Sequence, residues 1–304
     1  MRLHPSPAAR GAEGEVAGRG DRLGRVTHAA PRVLGRTGVA VEAVSLGGEG
    51  ILRTHGRSSE ALPMLLEAFT GGVRYCDTAP AYDQSQDYYG EAFAKAPGAR
   101  DRLFLASKTH LRSKRQALTL LDDSLRRLGT DHLDLWQMHD LRSEDDLAAI
   151  FGKGGAIEAA AEAKKAGKVR FIGLTGHQDP AILLAAIDRF DFDAVLLPIN
   201  PSDPARLPFV TTVIPAARAK GMGVVGMKVL AAGRLPSEGA ASVEECIRYA
   251  MAHADTLIIG CSSPAEVREN LRVGRESTPM TREEQRALEA RIAPKASRYA
   301  YFKG

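Results

Sequence analysis

Eight short apolar runs alternate along this chain with longer amphipathic segments. Runs of this length, apolar on both faces, are typical of strands buried in a parallel sheet, and the segments between them have helical spacing. Strict alternation of strand and helix favours an α/β fold, and eight repeats over about 250 residues predict a closed (β/α)8 TIM barrel. The predicted strands are AVSLG, GVRYCD, RLFLASK, HLDLWQMH, VRFIGLTG, FDAVLLP, GMGVVGMK and DTLIIGC.

Two further elements lie outside this repeat. The segment around GRTG predicts an N-terminal β-hairpin, and TREEQRALEARIA predicts an extra C-terminal helix. An open, doubly wound sheet is the alternative architecture, and it would place a GxGxxG turn after the first strand. The sequence there, GGEGILRTHG, lacks that turn, so the closed barrel is favoured.

Residues 1–30 differ in composition from the rest of the chain. They are rich in arginine and glycine and carry few large apolar side chains, which is typical of a disordered tail. No later shift in composition marks a domain boundary. We therefore expect residues 31–304 to form a single barrel domain.

Charge, hydropathy and cysteine usage exclude several classes of function. The net charge is only +4 and the basic residues are not interleaved with aromatic ones, so no nucleic-acid partner is expected. No run approaches the roughly 18 apolar residues that span a bilayer, and there is no apolar signal segment. Cys76, Cys246 and Cys261 stand singly, which predicts free thiols, a cytoplasmic protein and no metal site. Oligomeric state cannot be read from the sequence.

Polar residues follow the predicted strands from the second to the eighth. Because the functional residues of a barrel gather at the carboxyl ends of its strands, these positions are the candidate site. They are, in chain order, Asp77 and Tyr82, Lys108, His139, Thr175 and His177, Asn200 and Asp203, Lys228, and Cys261 to Ser263.

Four of these residues form a chemically coherent set on three consecutive strand ends: Asp77, Tyr82, Lys108 and His139. Neighbouring strands lie about 5 Å apart, so the four side chains are expected to meet. A cationic lysine would lower the pKa of the phenol, and the aspartate would keep that lysine charged and in place. The histidine could polarise a carbonyl oxygen while the phenol protonates it. Such a set suits carbonyl reduction with a hydride that a cofactor supplies.

The chain resembles the aldo-keto reductases over about residues 32–275. The resemblance is carried, in order, by LGRTGVAV, SLGG, DTAPAY, LASKTH, DHLDLWQMHD, GKVRFIGLTGH and IIGCSSPAEVRENL. It implies a (β/α)8 barrel that binds a nicotinamide cofactor across its rim and reduces a small-molecule aldehyde or ketone. It also implies roles: Tyr82 as general acid, Lys108 and Asp77 as the pair that tunes it, and His139 as the carbonyl polariser.

The cofactor side departs from the family pattern. Where the family usually has a Ser-Asn pair this chain has Thr175 and Gly176, and where it has a stacking aromatic the chain has Met227. The family's glutamine position is occupied by Leu196. Asn200 and Lys228 are further candidates for cofactor contacts.

The adenosine end of the cofactor is expected on GCSSPAEVRENL. Ser262 and Ser263 open a helix whose backbone N–H groups could hold a phosphate. The family's lysine and arginine for the 2′-phosphate are absent, with glycine in the lysine position, and the nearby Arg268 could take their place. NADP(H), the usual cofactor of the family, is the first expectation, and the missing cations make NAD(H) the alternative. The candidate contacts at this end are Gly260, Ser262, Ser263, Arg268, Glu269 and Asn270.

Two other functions fit parts of the pattern. A catalytically weak NADPH-binding regulatory subunit would keep the same barrel, and an aldolase would use Lys228 as a Schiff-base lysine. The complete set of four candidate catalytic residues favours the reductase. The short polar loops after the fourth and sixth strands predict an open cleft for a small or sugar-like carbonyl.

Overall fold

A computed structural model of the chain describes residues 31–303, and the predicted tail at 1–30 lies outside them. Eight parallel strands close into a barrel in chain order, with the last strand beside the first, which confirms the predicted fold. The barrel strands are β3 (Val44–Gly50), β4 (Tyr75–Asp77), β5 (Phe104–Thr109), β6 (Leu133–Met138), β7 (Val169–Thr175), β8 (Ala194–Pro198), β9 (Gly223–Met227) and β10 (Thr256–Cys261).

Helices surround the barrel and follow its strands. They are α1 (Ser58–Thr70), α2 (Ser85–Lys95), α3 (Ala99–Arg102), α4 (Lys114–Leu128), α5 (Glu144–Phe151), α6 (Ala156–Lys165), α7 (Pro180–Arg189), α8 (Val213–Ala219), α9 (Arg234–Ser237), α10 (Val243–Met251), α11 (Pro264–Glu276), α12 (Arg282–Ile292) and α13 (Ala296–Tyr299). The predicted C-terminal helix is α12, which begins with a capping box between Thr281 and Glu284.

The predicted N-terminal hairpin is present as β1 (Arg32–Val33) and β2 (Ala40–Val41), an antiparallel pair. Its apolar residues Leu34 and Val41 belong to the same buried cluster as Tyr75 and Phe104, the first residues of β4 and β5. The hairpin therefore closes the amino end of the barrel. The carboxyl ends of the strands remain as the open face.

Three helices begin at positions that their local sequence explains only in part. In LPFVTTVIPAARAKG only the seven residues of α8 are helical, and the residues directly before them form bends and turns. The polar loop predicted after β6 contains α5, which Ser143 caps by accepting a hydrogen bond from the amide of Asp146. Ser58 is the first residue of α1, and Arg57 stands in the N-cap position without a capping hydrogen bond from its side chain.

The C-terminal segment is fastened to the loop after β8. The ammonium of Lys303 is buried, 2.5 Å from Oδ1 of Asp203, and it also donates to the carbonyls of Arg206 and Leu207. A buried ion pair with this many hydrogen bonds fixes local geometry. Asp203, a predicted rim residue, therefore holds the chain's end in place.

Candidate active site

A buried ion pair lies at the centre of the open face. Lys108 Nζ donates to Asp77 Oδ1 at 2.5 Å and to the carbonyl of Thr78 at 2.9 Å, and both charged side chains have no exposed surface. Strand register explains the meeting, since Asp77 pairs with Ala106 and Lys108 follows two residues later on the same face. Gln137, paired with Lys108 on β6, donates to Asp77 Oδ2 at 3.4 Å.

Tyr82 and His139 lie around this pair. The turn after β4 brings the Tyr82 ring to 4.7 Å from Lys108 Nζ, measured to the ring centroid. The rings of Tyr82 and His139 meet edge to face with centroids 5.7 Å apart. All four residues that the sequence grouped together are thus in one cluster.

The close approach of Tyr82 depends on a glycine at the end of β3. A Cβ on Gly48 would lie 2.8 Å from Tyr82 Cδ2 and 2.7 Å from the carbonyl oxygen of Asp77. No real side chain tolerates such contacts with backbone. The SLGG segment therefore makes room for the phenol.

The direction of the Tyr82 pKa is opposite to the sequence expectation. Burial raises the pKa of Tyr82 well above its usual value, and the carboxylates of Asp77 and Glu49 raise it further. Lys108 was expected to lower it. Its hydrogen bonds go to Asp77 and Thr78 instead of the phenol, so its charge is offset by the aspartate.

His139 is held neutral. Burial lowers the pKa of its imidazole well below the usual value, and the nearby charge of Lys108 adds to this. Its Nδ1 is buried and has no hydrogen-bond partner within residues 31–303. A neutral imidazole can donate one hydrogen bond from the ring nitrogen that carries the proton.

Two cavities of about 520 Å³ each meet at Tyr82. The first, the long groove, runs from Asp77 and Tyr82 along the glycines in the last half of β3 and the segment after β9 to the start of α11. The second, the polar cavity, extends from Tyr82 and His139 among charged and imidazole side chains. Its polar lining includes Arg53, His110, Arg112, Asp140, Arg142 and His177.

Glycine keeps the floor of the long groove at the level of the backbone. A Cβ on Gly47 would lie 3.1 Å from the backbone nitrogen of Gly260, and one on Gly260 would lie 2.8 Å from the carbonyl carbon of Glu49. A side chain at either position would press against the backbone of the neighbouring strand, so glycine lets β3 and β10 approach closely beneath the groove. A floor without side chains there fits a flat ligand.

Sequence reasoning missed Glu49. Its carboxylate lines both cavities and binds Lys228 Nζ at 3.1 Å, so the pair joins the first and seventh barrel strands across the mouth. Lys228 adopts a left-handed backbone with φ of 54°, which is uncommon for a residue with a side chain. A signal for Glu49 existed in the sequence, because GGEG ends the first barrel strand and the candidate positions began only with the second strand.

The structure brings some of the predicted cofactor residues to the cavities. Met227 and Lys228 line both cavities, and Thr175 lines the polar cavity. The predicted adenosine-end residues that line the long groove are Gly260, Ser262 and Asn270.

Other predicted cofactor residues have different partners. Asn200 is buried, donating to the carbonyl of Lys228 and accepting from Ser202. Arg268 pairs with Glu67 at 2.8 Å, and Glu269 pairs with Arg272 at 2.7 Å.

The last two predicted cofactor residues serve local structure. Ser263 caps α11 by accepting from the amide of Glu266. Gly176 packs so closely that a Cβ would lie 2.9 Å from the carbonyl oxygen of Leu141. The family's asparagine would not fit in its place.

Comparison with known proteins agrees with this geometry. The sequence profile of the Aldo/keto reductase family matches residues 43–244, well over half of the chain. The chain belongs to the aldo/keto reductase family. It is therefore an oxidoreductase of the kind that acts on carbonyl substrates, as the resemblance in the sequence implied.

Curated relatives in this family include two sugar-active enzymes. An L-galactose dehydrogenase from Arabidopsis thaliana is 27% identical over 86% of this chain and 94% of its own length. A 6-dehydroglucose reductase from Novosphingobium aromaticivorans is 27% identical over 68% of this chain and 70% of its own.

Solved aldo-keto reductase structures share the fold. One from Bacillus halodurans in its holo form has a TM-score of 0.71 at 24% identity, covering 87% of this chain and 96% of that one. A Klebsiella pneumoniae aldo/keto reductase in complex with NADP and acetate has a TM-score of 0.71 at 19% identity, with the same coverage.

Two absences concern the part of the chain that is described. Within residues 31–303, no helix has the length and apolar character needed to cross a bilayer. In the same residues, His, Cys, Asp and Glu side chains do not gather into a group that could hold a metal ion.

Proposed function

We propose that this aldo-keto reductase reduces an aldehyde or ketone to an alcohol with Tyr82 as the acid, using NADP(H) or NAD(H). The observation that carries the proposal is the position of Tyr82. It stands where the long groove meets the polar cavity, over the buried Lys108–Asp77 pair and against His139.

Each residue of the cluster has a distinct part in this proposal. A nicotinamide cofactor, when bound in the long groove, would supply the hydride. Tyr82, whose pKa is raised, stays protonated at neutral pH and donates its proton to the carbonyl oxygen as negative charge develops there. His139, held neutral, donates a hydrogen bond to the same oxygen and polarises the carbonyl group.

Lys108 acts after the proton has left Tyr82. A phenolate in this buried place is costly, and the ammonium 4.7 Å from the ring offsets its charge. Asp77 holds Lys108 in position through the 2.5 Å hydrogen bond. Lys108 therefore stabilises the product of proton transfer, and it does not make Tyr82 acidic beforehand.

The long groove is the proposed cofactor site. Its glycine floor runs from Tyr82 to Ser262 and Asn270, and Met227 beside Tyr82 offers a polarisable surface for a flat ring. These residues replace the family's asparagine, glutamine and aromatic contacts. Support also comes from the Klebsiella structure of the same fold, which holds NADP.

The polar cavity is the proposed substrate site, and its lining favours a small hydroxylated carbonyl such as a sugar-like aldehyde. Arg53 and His110 offer donors there, and Asp140 offers an acceptor, whereas Arg112 already donates to Asp146 and to the carbonyls of His139 and Asp140. A substrate with several hydroxyl groups can form hydrogen bonds with such a lining, and an apolar carbonyl compound cannot. The sugar substrates named for two curated relatives support this choice.

We also propose a cytoplasmic location, based on the cysteines, and a single folded domain, based on the closed barrel. Cys76, Cys246 and Cys261 are free and buried, as in proteins of a reducing cytoplasm. A single domain over residues 31–304 is consistent with one closed barrel. A regulatory subunit that only binds cofactor is not favoured, because the four residues for chemistry are all in place.

A cofactor-oxidation screen tests the function. NADPH and NADH are each incubated with hydroxyaldehydes, sugars and apolar aldehydes, and oxidation is followed at the nicotinamide absorbance. We expect turnover with both cofactors or one, fastest for hydroxylated carbonyls. Cofactor binding without oxidation by any carbonyl would support the regulatory subunit and overturn the proposal.

Two histidine variants make the test specific for the site. His139→Gln should lower kcat about 100-fold, since it removes a donor aimed at the developing charge. His132→Gln is the matched control, because His132 lies at the opposite end of β6 and pairs with Asp131. Equal effects of the two variants would remove His139 from the mechanism.

A further inference from the structure

The outer end of the long groove carries a negative charge of the chain's own. Glu266, in the first turn of α11, lines the groove with Gly260, Ser262 and Asn270. Its Oε2 accepts a hydrogen bond from the backbone N–H of Ser262 at 2.8 Å. That N–H is one of the groups that the sequence assigned to a cofactor phosphate, and here a carboxylate is bound to it.

Within residues 31–303, the lining of the groove holds no unpaired cation that could offset this carboxylate. Among the described residues that line the groove, Lys228 is the only cationic one, and it is paired with Glu49. Arg268, the residue that the sequence offered for the 2′-phosphate, pairs with Glu67 at 2.8 Å and does not line the groove. The outer end therefore presents glycine, serine and asparagine around a single acid.

This arrangement discriminates between the two nicotinamide cofactors. They differ only at the adenosine ribose, where one carries a 2′-hydroxyl and the other a phosphate with a charge of about −1.5 to −2 at neutral pH. A phosphate beside Glu266 meets like charge and has to compete for the N–H of Ser262. A ribose hydroxyl can donate a hydrogen bond to the same carboxylate, as ribose hydroxyls do to acidic residues in dinucleotide-binding folds.

We propose that Glu266 is a specificity-determining residue that makes this reductase bind NADH more tightly than NADPH. The proposal rests on the proposed function, since it assumes that the long groove holds the cofactor. It leaves NADPH as a weaker ligand of the same groove. The effect expected for one screened like-charge contact is about five- to tenfold in Kd.

The test is a calorimetric titration of the protein with NADH and with NADPH, without carbonyl substrate. For the unaltered chain we expect the Kd of NADH to be about five- to tenfold lower. Added salt should reduce the difference between the two Kd values, because it screens the repulsion between Glu266 and the phosphate. NADPH binding as tightly as NADH, or more tightly, would overturn the proposal.

Two variants assign the effect to one residue. Glu266→Gln keeps the size and the hydrogen-bond acceptor but removes the charge, so the Kd of NADPH should fall about fivefold while that of NADH changes less than about twofold. Glu276→Gln is the matched control, because Glu276 lies in the last turn of the same helix and pairs with Arg272 outside the groove. It should leave the ratio of the two Kd values unchanged.

The outcomes separate this inference from the proposed function. An unchanged ratio in Glu266→Gln would remove Glu266 as the cause. If both cofactors bind and the preference is for NADPH, the inference alone fails. If neither cofactor binds, the groove is not a cofactor site and the proposed function fails with it.

Discussion

At the scale of single residues, the site contains two buried charges, on Asp77 and Lys108, and each stabilises the other. Asp77 and Lys108 are both removed from solvent, and burial raises the pKa of Asp77 while lowering that of Lys108. Their mutual attraction and hydrogen bond oppose both shifts. Either charge without the other would be buried and uncompensated.

Lys108→Met should therefore lower both stability and activity. Removing one partner of a buried pair costs about 3–5 kcal/mol of unfolding free energy, and the Tyr82 phenolate also loses its counter-charge. Urea denaturation measures the first effect and the rate of carbonyl reduction the second.

The double variant Asp77→Asn with Lys108→Met separates stability from function. Removing both charges should recover at least half of the lost stability, because no unpaired charge remains. Activity should stay lost. A double variant as unstable as the sum of its single variants would show that the two charges do not depend on each other.

At the scale of elements, the strand ends were predictable and the loops were not. Eight apolar runs identified eight strands, and the polar residue after each run identified Asp77, Lys108 and His139 as neighbours. The charged lining of the polar cavity comes from loop positions such as Arg53 and Arg142. The number of residues between such a position and the nearest strand does not predict whether its side chain points into the cavity. The hydrogen-bond and ion-pair partners of Asn200, Arg268 and Glu269 could not be predicted either, because the folded structure determines them.

The glycine after β7 gives a prediction at this scale. Gly176→Asn, which would restore the family's residue, should lower the unfolding free energy by about 1–3 kcal/mol, because its Cβ would meet Leu183 and the carbonyl of Leu141. Urea denaturation of the variant measures this.

Gly167→Asn is the matched control. Gly167 has φ of 76°, and a Cβ at this position would have no atom within 4 Å. Asparagine tolerates such a left-handed backbone better than most residues do. Gly167→Asn should therefore lower the unfolding free energy by less than Gly176→Asn does. Equal losses in the two variants would mean that packing around Gly176 is not the cause.

At the scale of the whole molecule, the residues that stabilise the barrel and the residues of the candidate active site lie at opposite ends of the strands. The hairpin and the apolar interior close the amino end, while the charged groups gather at the carboxyl ends of the strands. A half-buried histidine away from the site also makes the stability of the fold depend on pH. His253 has its pKa lowered to about 4 by burial, with the charge of Arg282 adding to the shift.

Stability should consequently fall in mild acid. An unfolded histidine has a pKa of about 6.5, so between pH 6.5 and about 4 the unfolded chain binds a proton that folded His253 does not. Its contribution is complete above pH 6.5 and is lost as the pH falls towards about 4. Because His253 is partly exposed, we expect a loss of about 1–2 kcal/mol.

Urea denaturation between pH 7.5 and 4.5 measures that loss. His253→Gln should flatten the dependence, and His55→Gln, at an exposed histidine that contacts Asp83, is the comparison variant. A pH dependence that is identical in all three proteins would assign the acid sensitivity to other groups.

The central claim is that Tyr82 gives its proton to the substrate. Single-turnover reduction by Tyr82→Phe, with cofactor affinity titrated on the same sample, tests it most directly, and Tyr89→Phe is the control because Tyr89 is buried in α2 and lines neither cavity. We predict that Tyr82→Phe loses at least about 100-fold in rate while cofactor Kd stays within about twofold, with Tyr89→Phe unaffected. A Tyr82→Phe enzyme that retains more than a few per cent of the rate would contradict the account.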